Sequence, residues 1–193
     1  MPPPEAGLGD HDTAGFRHLG PDEVCFEGWR ISVVRATFES PDGERFTRDV
    51  VRHPGAVCVV PVTDAGTALL VRQFRGPVDR TLLEIPAGTR DVEGEAPEDT
   101  ARRELEEEVG VRAGRLELLA TLHNTPGFCD EETLVYLATG LLPGTPQREG
   151  PEERAIEVVE VPLAEVDALV ASAALTDAQT VAGLLLARRA LAG

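Results

Sequence analysis

Lysine is absent from this 193-residue chain, and all 18 basic side chains are arginine. No lysine amine can therefore serve as a nucleophile or form a Schiff base. Cysteine is scarce. Cys25, Cys58 and Cys129 are odd in number and far apart, with no C-x-x-C pair, a pattern of free thiols in a reducing cytoplasm rather than of a disulfide framework. No apolar stretch approaches the roughly 20 residues that a membrane span needs. The opening MPPPEAGLGDHDTAG has neither a basic region nor an apolar run, so it does not read as a signal peptide. Positive charge is in short supply overall, and the net charge is −16. That balance argues against nucleic acid and anionic membrane surfaces as partners. A polyanionic substrate would need local help from arginine or a metal ion.

What the chain does have is enough length to bury a core without metal or disulfide staples. Residues 1–20, rich in Pro, Gly and acid, read as a loose tail. Residues 21–54 read as an N-terminal β unit of two or three strands, with Ser40-Pro41-Asp42-Gly43 turning between the 31–38 and 46–52 runs. Residues 55–193 read as the main domain. In it, 56–62 and 68–74 are apolar runs expected as central strands buried on both faces, and 81–85, 116–122, 133–139 and 157–161 are further strands. The 144–154 stretch reads as a polar Pro/Gly-rich loop and 163–171 as a short helix. Thr176 with Gln179 reads as a capping box for a last helix running to about Leu191. Mixed strands around one acidic helix, with a terminal helix beyond, predict a layered α/β/α domain.

The acidic helix carries the chemistry. Pro97 suits a first helical turn and Gly110 a C-terminal stop. Ala101, Leu105 and Val109 recur at helical spacing as a buried stripe. Glu104, Glu107 and Glu108 stand at i, i+3 and i+4, where like charges destabilise a helix by about 0.2–0.5 kcal/mol per pair. A hard divalent cation offsets that repulsion, and oxygen ligands of this kind suit Mg²⁺, with Mn²⁺ as the alternative.

The segment from Gly88 to Val111 resembles the Nudix box, the signature of Nudix hydrolases: Gly, five residues, Glu, seven residues, then Arg-Glu-aliphatic-x-Glu-Glu-x-Gly-aliphatic. Glu95 and the run Arg103-Glu104-Leu105-Glu106-Glu107-Glu108-Val109-Gly110-Val111 match it, while six residues instead of five separate Gly88 from Glu95. The extra residue falls in the loop before the helix, where insertions are tolerated. The resemblance implies that Glu104 and Glu108 ligate metal, with Glu107 as a further ligand or water-orienting group and the Ala87 carbonyl beside them. It implies structural roles for Gly88, Glu95 and Arg103.

Two further segments resemble the ADP-ribose pyrophosphatase-like subfamily. Thr125-Pro126-Gly127-Phe128-Cys129-Asp130-Glu131-Glu132 is similar to its Pro-Gly-x-x-x-Glu loop, with Pro126 standing 15 residues after Val111. There the loop glutamate acts as general base or orients the attacking water, which implies Glu131, with Glu132 as the fallback. Val71-Arg72-Gln73-Phe74-Arg75 resembles a strand whose last arginine contacts substrate, implying that role for Arg75. Arg48 and Arg52 are further substrate-binding candidates. Trp29 and Phe26 are candidates to stack on a base, and equally fit a buried core. His53 and His123 lack ligand spacing and read as structural. The resemblance also implies a Nudix-like α/β/α sandwich with a mixed sheet, a small antiparallel N-terminal β unit and a homodimer that exchanges it. The activity it implies is Mg²⁺-dependent cleavage of ADP-ribose to AMP and ribose 5-phosphate. Two alternatives stay open. One is the same chemistry on another nucleoside diphosphate sugar, such as GDP-mannose or a UDP-sugar. The other is a non-catalytic Nudix-fold ligand sensor, although such modules usually lose box carboxylates and this chain keeps them all.

Overall fold

The computed structural model describes residues 13–193. The chain folds into two compact units. The first runs to His53 and includes Gly127–Cys129; the second comprises Pro54–Pro126 and Asp130–Gly193.

The N-terminal unit is a four-stranded antiparallel sheet of β1 (Arg17–His18), β2 (Glu23–Glu27), β3 (Ser32–Glu39) and β4 (Arg45–Arg52), with β3 pairing to all three others. The β3–β4 hairpin turns at Ser40–Glu44. The Ser40 hydroxyl accepts from Glu44 N–H at 3.0 Å, and Gly43 takes a φ of +88° that disfavours other residues. Residues 1–12, most of the expected tail, lie outside the described residues. Residues 13–20 depart from the tail reading. Arg17 and His18 pair with Glu39 and Phe38, and the Phe16 ring packs edge-on against Phe46 at 6.1 Å. An aromatic anchor thus turns a Gly-rich stretch into an edge strand.

The second unit is built around β5 (Ala56–Pro61), every residue of which is buried. It lies parallel to β11 (Glu132–Thr139) and antiparallel to β8 (Ala87–Thr89), and β10 (Arg115–His123) completes a mixed sheet in the order β10-β11-β5-β8. A second, antiparallel sheet has the order β13-β6-β7, from β6 (Thr67–Arg75), β7 (Arg80–Glu84) and β13 (Glu157–Pro162). The short β9 (Val111–Arg112) pairs with β12 (Leu142–Pro143). Four helices accompany the sheets: α1 (Pro97–Val109), α2 (Gly150–Arg154), α3 (Val166–Ala171) and α4 (Ala178–Ala192).

Why β5 is apolar throughout follows from its neighbours. Its alternate side chains serve two cores. Val57 and Val59 pack with Ala101 and Leu105 of α1, while Cys58 and Val60 pack with Leu70, Ile85, Val135 and Leu184 of α4. A strand covered on both faces has no solvent side to mark with polar residues. Each leucine so buried contributes about 1.5–3 kcal/mol. Gly183 lets α4 approach closely, since a Cβ there would lie 2.9 Å from Ile85 Cδ1.

Three expectations shift on the C-terminal side. The 144–154 stretch is not loop throughout but ends in α2. The 163–171 helix opens as a 3₁₀ turn, Leu163–Glu165, before α3. The last helix is capped by Asp177 rather than Thr176: Asp177 Oδ2 accepts from Thr180 N–H at 2.8 Å and from the Thr180 hydroxyl at 2.7 Å. Aspartate outcompetes the neighbouring threonine because its carboxylate takes both bonds at once.

Candidate active site

Helix α1 begins where expected, with Pro97 in its first turn and Glu98 and Asp99 at the positive end of its dipole. No side chain caps it at Ala96. Glu95, just outside, takes over. Its Oε2 accepts from the Thr100 hydroxyl at 2.8 Å, and Arg103 grips both its oxygens at 3.1 Å. Hydrogen bonding to Arg103, followed by Thr100, lowers the Glu95 pKa against a desolvation that raises it. The same guanidinium reaches Glu104 Oε1 at 2.7 Å and Glu107 Oε2 at 3.0 Å. One arginine therefore holds three carboxylates of the helix and its entrance.

Glu104 and Glu108 lie one turn apart, as the spacing requires. Burial pushes the Glu104 carboxyl up to about 7, with Arg103 opposing and the charges of Glu107 and Glu153 adding. Glu108 is 4% exposed. Desolvation, the Glu104 charge and, more weakly, Glu153 push it up to about 8, against the Ala87 N–H and Arg75. Strand β8 is pressed against this pair. Ala87 N–H donates to Glu108 Oε2 at 3.1 Å, and a Cβ on Gly88 would fall 2.0 Å from the Glu104 carboxyl carbon. Glycine is thus required here for close approach, not for an unusual φ. The loop with the extra residue turns at 92–95, where Glu95 N–H donates to Val92 O at 3.2 Å and Gly94 has a φ of +78°.

Arg75 stands at the end of β6 and forms a fork with Glu84 of β7, Nε at 3.0 and 3.1 Å and Nη2 at 2.6 Å. Hydrogen bonding to Glu84 raises its pKa first; the charges of Glu108 and Asp177 add to that. Arg75, Glu84, Ala87, Gly88, Glu104 and Glu108 are therefore brought together. Glu131 directly precedes β11, and its charge is felt at the buried Cys58, whose thiol desolvation raises far above its usual value. Glu132 is the first residue of β11, opposite His123.

Arg48 and Arg52 belong to the N-terminal unit. Arg48 lies over the Phe46 ring at 4.6 Å and donates to Thr47 O at 2.8 Å. Arg52 holds Asp22 Oδ2 through Nε at 2.9 Å and Nη2 at 2.7 Å. Trp29 is 88% and Phe26 59% exposed, so neither is a core aromatic in this chain. Among the described residues, no three His, Cys, Asp or Glu side chains converge as a ready-made metal cluster. No helix among them is long and apolar enough to cross a membrane.

Three residues near this centre escaped the sequence reading: Glu84, Glu153 and Arg148. Glu84 follows a short hydrophobic run and only its burial distinguishes it. Glu153 lies in an acidic, Pro/Gly-rich stretch where no local pattern sets one carboxylate apart. Arg148 lies in the same stretch and donates from two nitrogens to Glu108 O.

The NUDIX domain family model matches residues 52–190. The chain belongs to the Nudix family. It is 44% identical over 158 residues to an ADP-ribose pyrophosphatase of Bacillus subtilis (strain 168), covering 82% of this chain and 85% of that one. It is 40% identical over 164 residues to an ADP-ribose pyrophosphatase of Mycobacterium tuberculosis (strain ATCC 25618 / H37Rv), covering 84% and 79%. A solved structure described as an ADP compounds hydrolase superposes with a TM-score of 0.79 at 26% identity, covering 92% of this chain and 95% of that one. The layered α/β architecture with a mixed sheet, expected from the box, is thus the architecture of this Nudix chain.

Proposed function

We propose that this Nudix chain hydrolyses the pyrophosphate bond of ADP-ribose, with a divalent cation, to AMP and ribose 5-phosphate. The observation that carries the chemistry is the pair Glu104 and Glu108. Two carboxylates crowded on one buried helix face are poor anions by themselves, and a hard cation is the partner that such oxygen donors suit. The substrate rests on the likeness to the two ADP-ribose pyrophosphatases.

Glu104, Glu108, Glu107 and the Ala87 carbonyl would hold the ion, Mg²⁺ or else Mn²⁺. When bound, the ion supplies neutralisation of the pyrophosphate charge and a water of lowered pKa. The chain's own residues do the rest. Arg103 keeps Glu104 and Glu107 oriented from the side of Glu95. Arg75, held rigid by Glu84, presents its remaining N–H groups to a phosphate oxygen. A carboxylate takes the proton of the attacking water as its oxygen bonds to one phosphorus and the bridging oxygen leaves with the other. Glu131 is the first candidate for that base. Glu153 is the second, favoured by one observation: its charge acts on both Glu104 and Glu108, whereas that of Glu131 is felt at Cys58.

A homodimer, substrate contacts by Arg48 and Arg52, and a cytoplasmic site of action belong to the same proposal. The free state of Cys25, Cys58 and Cys129 supports the last. The deciding experiment is a substrate panel with Mg²⁺ and chromatographic product identification. ADP-ribose should lead GDP-mannose, UDP-glucose and nucleoside triphosphates in kcat/KM by about tenfold or more, about 1.4 kcal/mol of transition-state binding, and chelation should abolish turnover. A better rate on any rival substrate sinks the ADP-ribose assignment.

A further inference from the structure

The last carbonyl oxygens of an α-helix have no partner within it. In α1 they are met largely from a distant part of the chain. Gly110 N–H returns to Glu106 O at 2.9 Å, and Gln147 N–H donates to Glu107 O at 3.1 Å. Arg148, 40 residues beyond Glu108, takes its carbonyl oxygen with Nε at 3.1 Å and Nη2 at 2.7 Å. Its Nη1 donates to Ile156 O at 2.8 Å, at the foot of β13. A cation also suits the negative end of the helix dipole. The approach is tight: a Cβ on Gly144 would lie 2.9 Å from Glu106 Oε1, and one on Gly110 would lie 3.0 Å from Pro146 Cδ.

One guanidinium thus ties both ends of the 149–155 connector, which contains α2 and Glu153, to the backbone of Glu108. Within the connector, Glu153 Oε2 accepts from Glu149 N–H at 2.8 Å and Glu153 O accepts from Ile156 N–H at 3.0 Å. Glu153 is therefore held at the connector's base rather than on a free tip.

We propose that Arg148 is a positioning residue. By clasping Glu108 O and Ile156 O together it sets where the Glu153 carboxylate stands relative to Glu104 and Glu108. This rests on the hydrolase reading above and deepens it. Arginine is needed because its planar fork serves two acceptors at once, whereas lysine offers a single point of attachment.

The test uses the full chain and the variants R148Q and R148K, with circular dichroism to verify folding. Two quantities are read: kcat and KM for ADP-ribose at saturating Mg²⁺, and amide hydrogen exchange without substrate. In R148Q, kcat should fall about tenfold or more with KM within about twofold, the scale expected when a reacting group is misplaced by a fraction of an ångström. Amides of 147–156 should exchange about tenfold faster while those of mid-α1 keep their protection. R148K should recover part of both effects. An unchanged kcat, an unchanged exchange pattern, or a KM effect without a kcat effect each overturns the assignment. If the wild-type chain does not cleave ADP-ribose, the substrate reading fails by itself. The kinetic arm then moves to the panel substrate that is cleaved, and unchanged exchange in R148Q still overturns the clasp.

Discussion

Glu108 is the one buried glutamate of α1, and desolvation pushes its carboxyl up to about 8. Its Oε2 takes the Ala87 N–H, and an amide oxygen accepts that bond equally well. E108Q should therefore fold normally and lose one negative charge from the proposed cation site. Turnover should fall at least about 100-fold, the usual scale for removing a preorganised electrostatic group. Near-wild-type kcat in Mg²⁺ for a folded E108Q removes Glu108 from the mechanism. The base is decided by a pair of variants. If Glu131 takes the proton, E131Q lowers kcat with metal and substrate affinity intact, the pattern of an interaction made in the transition state. If Glu153 takes it, E153Q shows that loss and E131Q does not. Should both keep full turnover, neither Glu131 nor Glu153 is the base, both assignments are dropped, and E132Q tests the fallback.

At the scale of the element, α1 is a helix whose entrance is latched by a residue outside it. Glu95 binds Thr100 and Arg103, and that bonding depresses its pKa. A carboxylate depressed in the folded state stabilises the fold above its unfolded pKa and loses that contribution as pH falls through the folded value. Relative to wild type, E95Q should thus lower the melting temperature by a few degrees at pH 7. The gap should close as pH drops from about 5 towards 3, because wild-type Glu95 then becomes protonated too. A gap that stays constant over that range means that the latch works through shape alone. The helix and its carboxylates were legible from the spacing of Glu104, Glu107 and Glu108, since i, i+3 and i+4 share a face whatever surrounds them. The latch partner Glu95 was legible only through the box. The carbonyl clasp by Arg148 was not, because its acceptors are backbone atoms and carry no side-chain signature.

At the scale of the whole molecule, the charge of −16 sets the field that a dianionic substrate meets. Long-range repulsion slows encounter and is screened by salt, with a Debye length of about 30 Å at 0.01 M and about 10 Å at 0.1 M. At fixed free Mg²⁺, kcat/KM should rise severalfold as KCl goes from about 10 to about 150 mM, across that range of screening. A fall would mean that the local cations, Arg75 and the proposed ion, outweigh the acidic surface.

Local patterns in the chain were enough to determine that β5 is a buried strand, that α1 starts at Pro97 and stops at Gly110, and which of its faces bears acid. Each of these depends on periodicity or on a Pro or Gly whose backbone preference is intrinsic. Strand β6 forms as expected but is buried on both faces only over its first half, since Arg72 and Phe74 are exposed. Only the tertiary structure decided that Arg75 is locked to Glu84, that Gly88 must be glycine because Glu104 lies against it, and that the 144–156 segment closes over the end of α1. It also decided the N-cap of α4, where Asp177 and Thr176 compete. The first three outcomes depend on which residues meet across 9 to 40 positions of sequence, the cap on which of two neighbours reaches Thr180, and burial then sets the protonation of Glu104 and Glu108. Desolvation is a property of what surrounds a carboxylate, and no reading of its neighbours in sequence contains it.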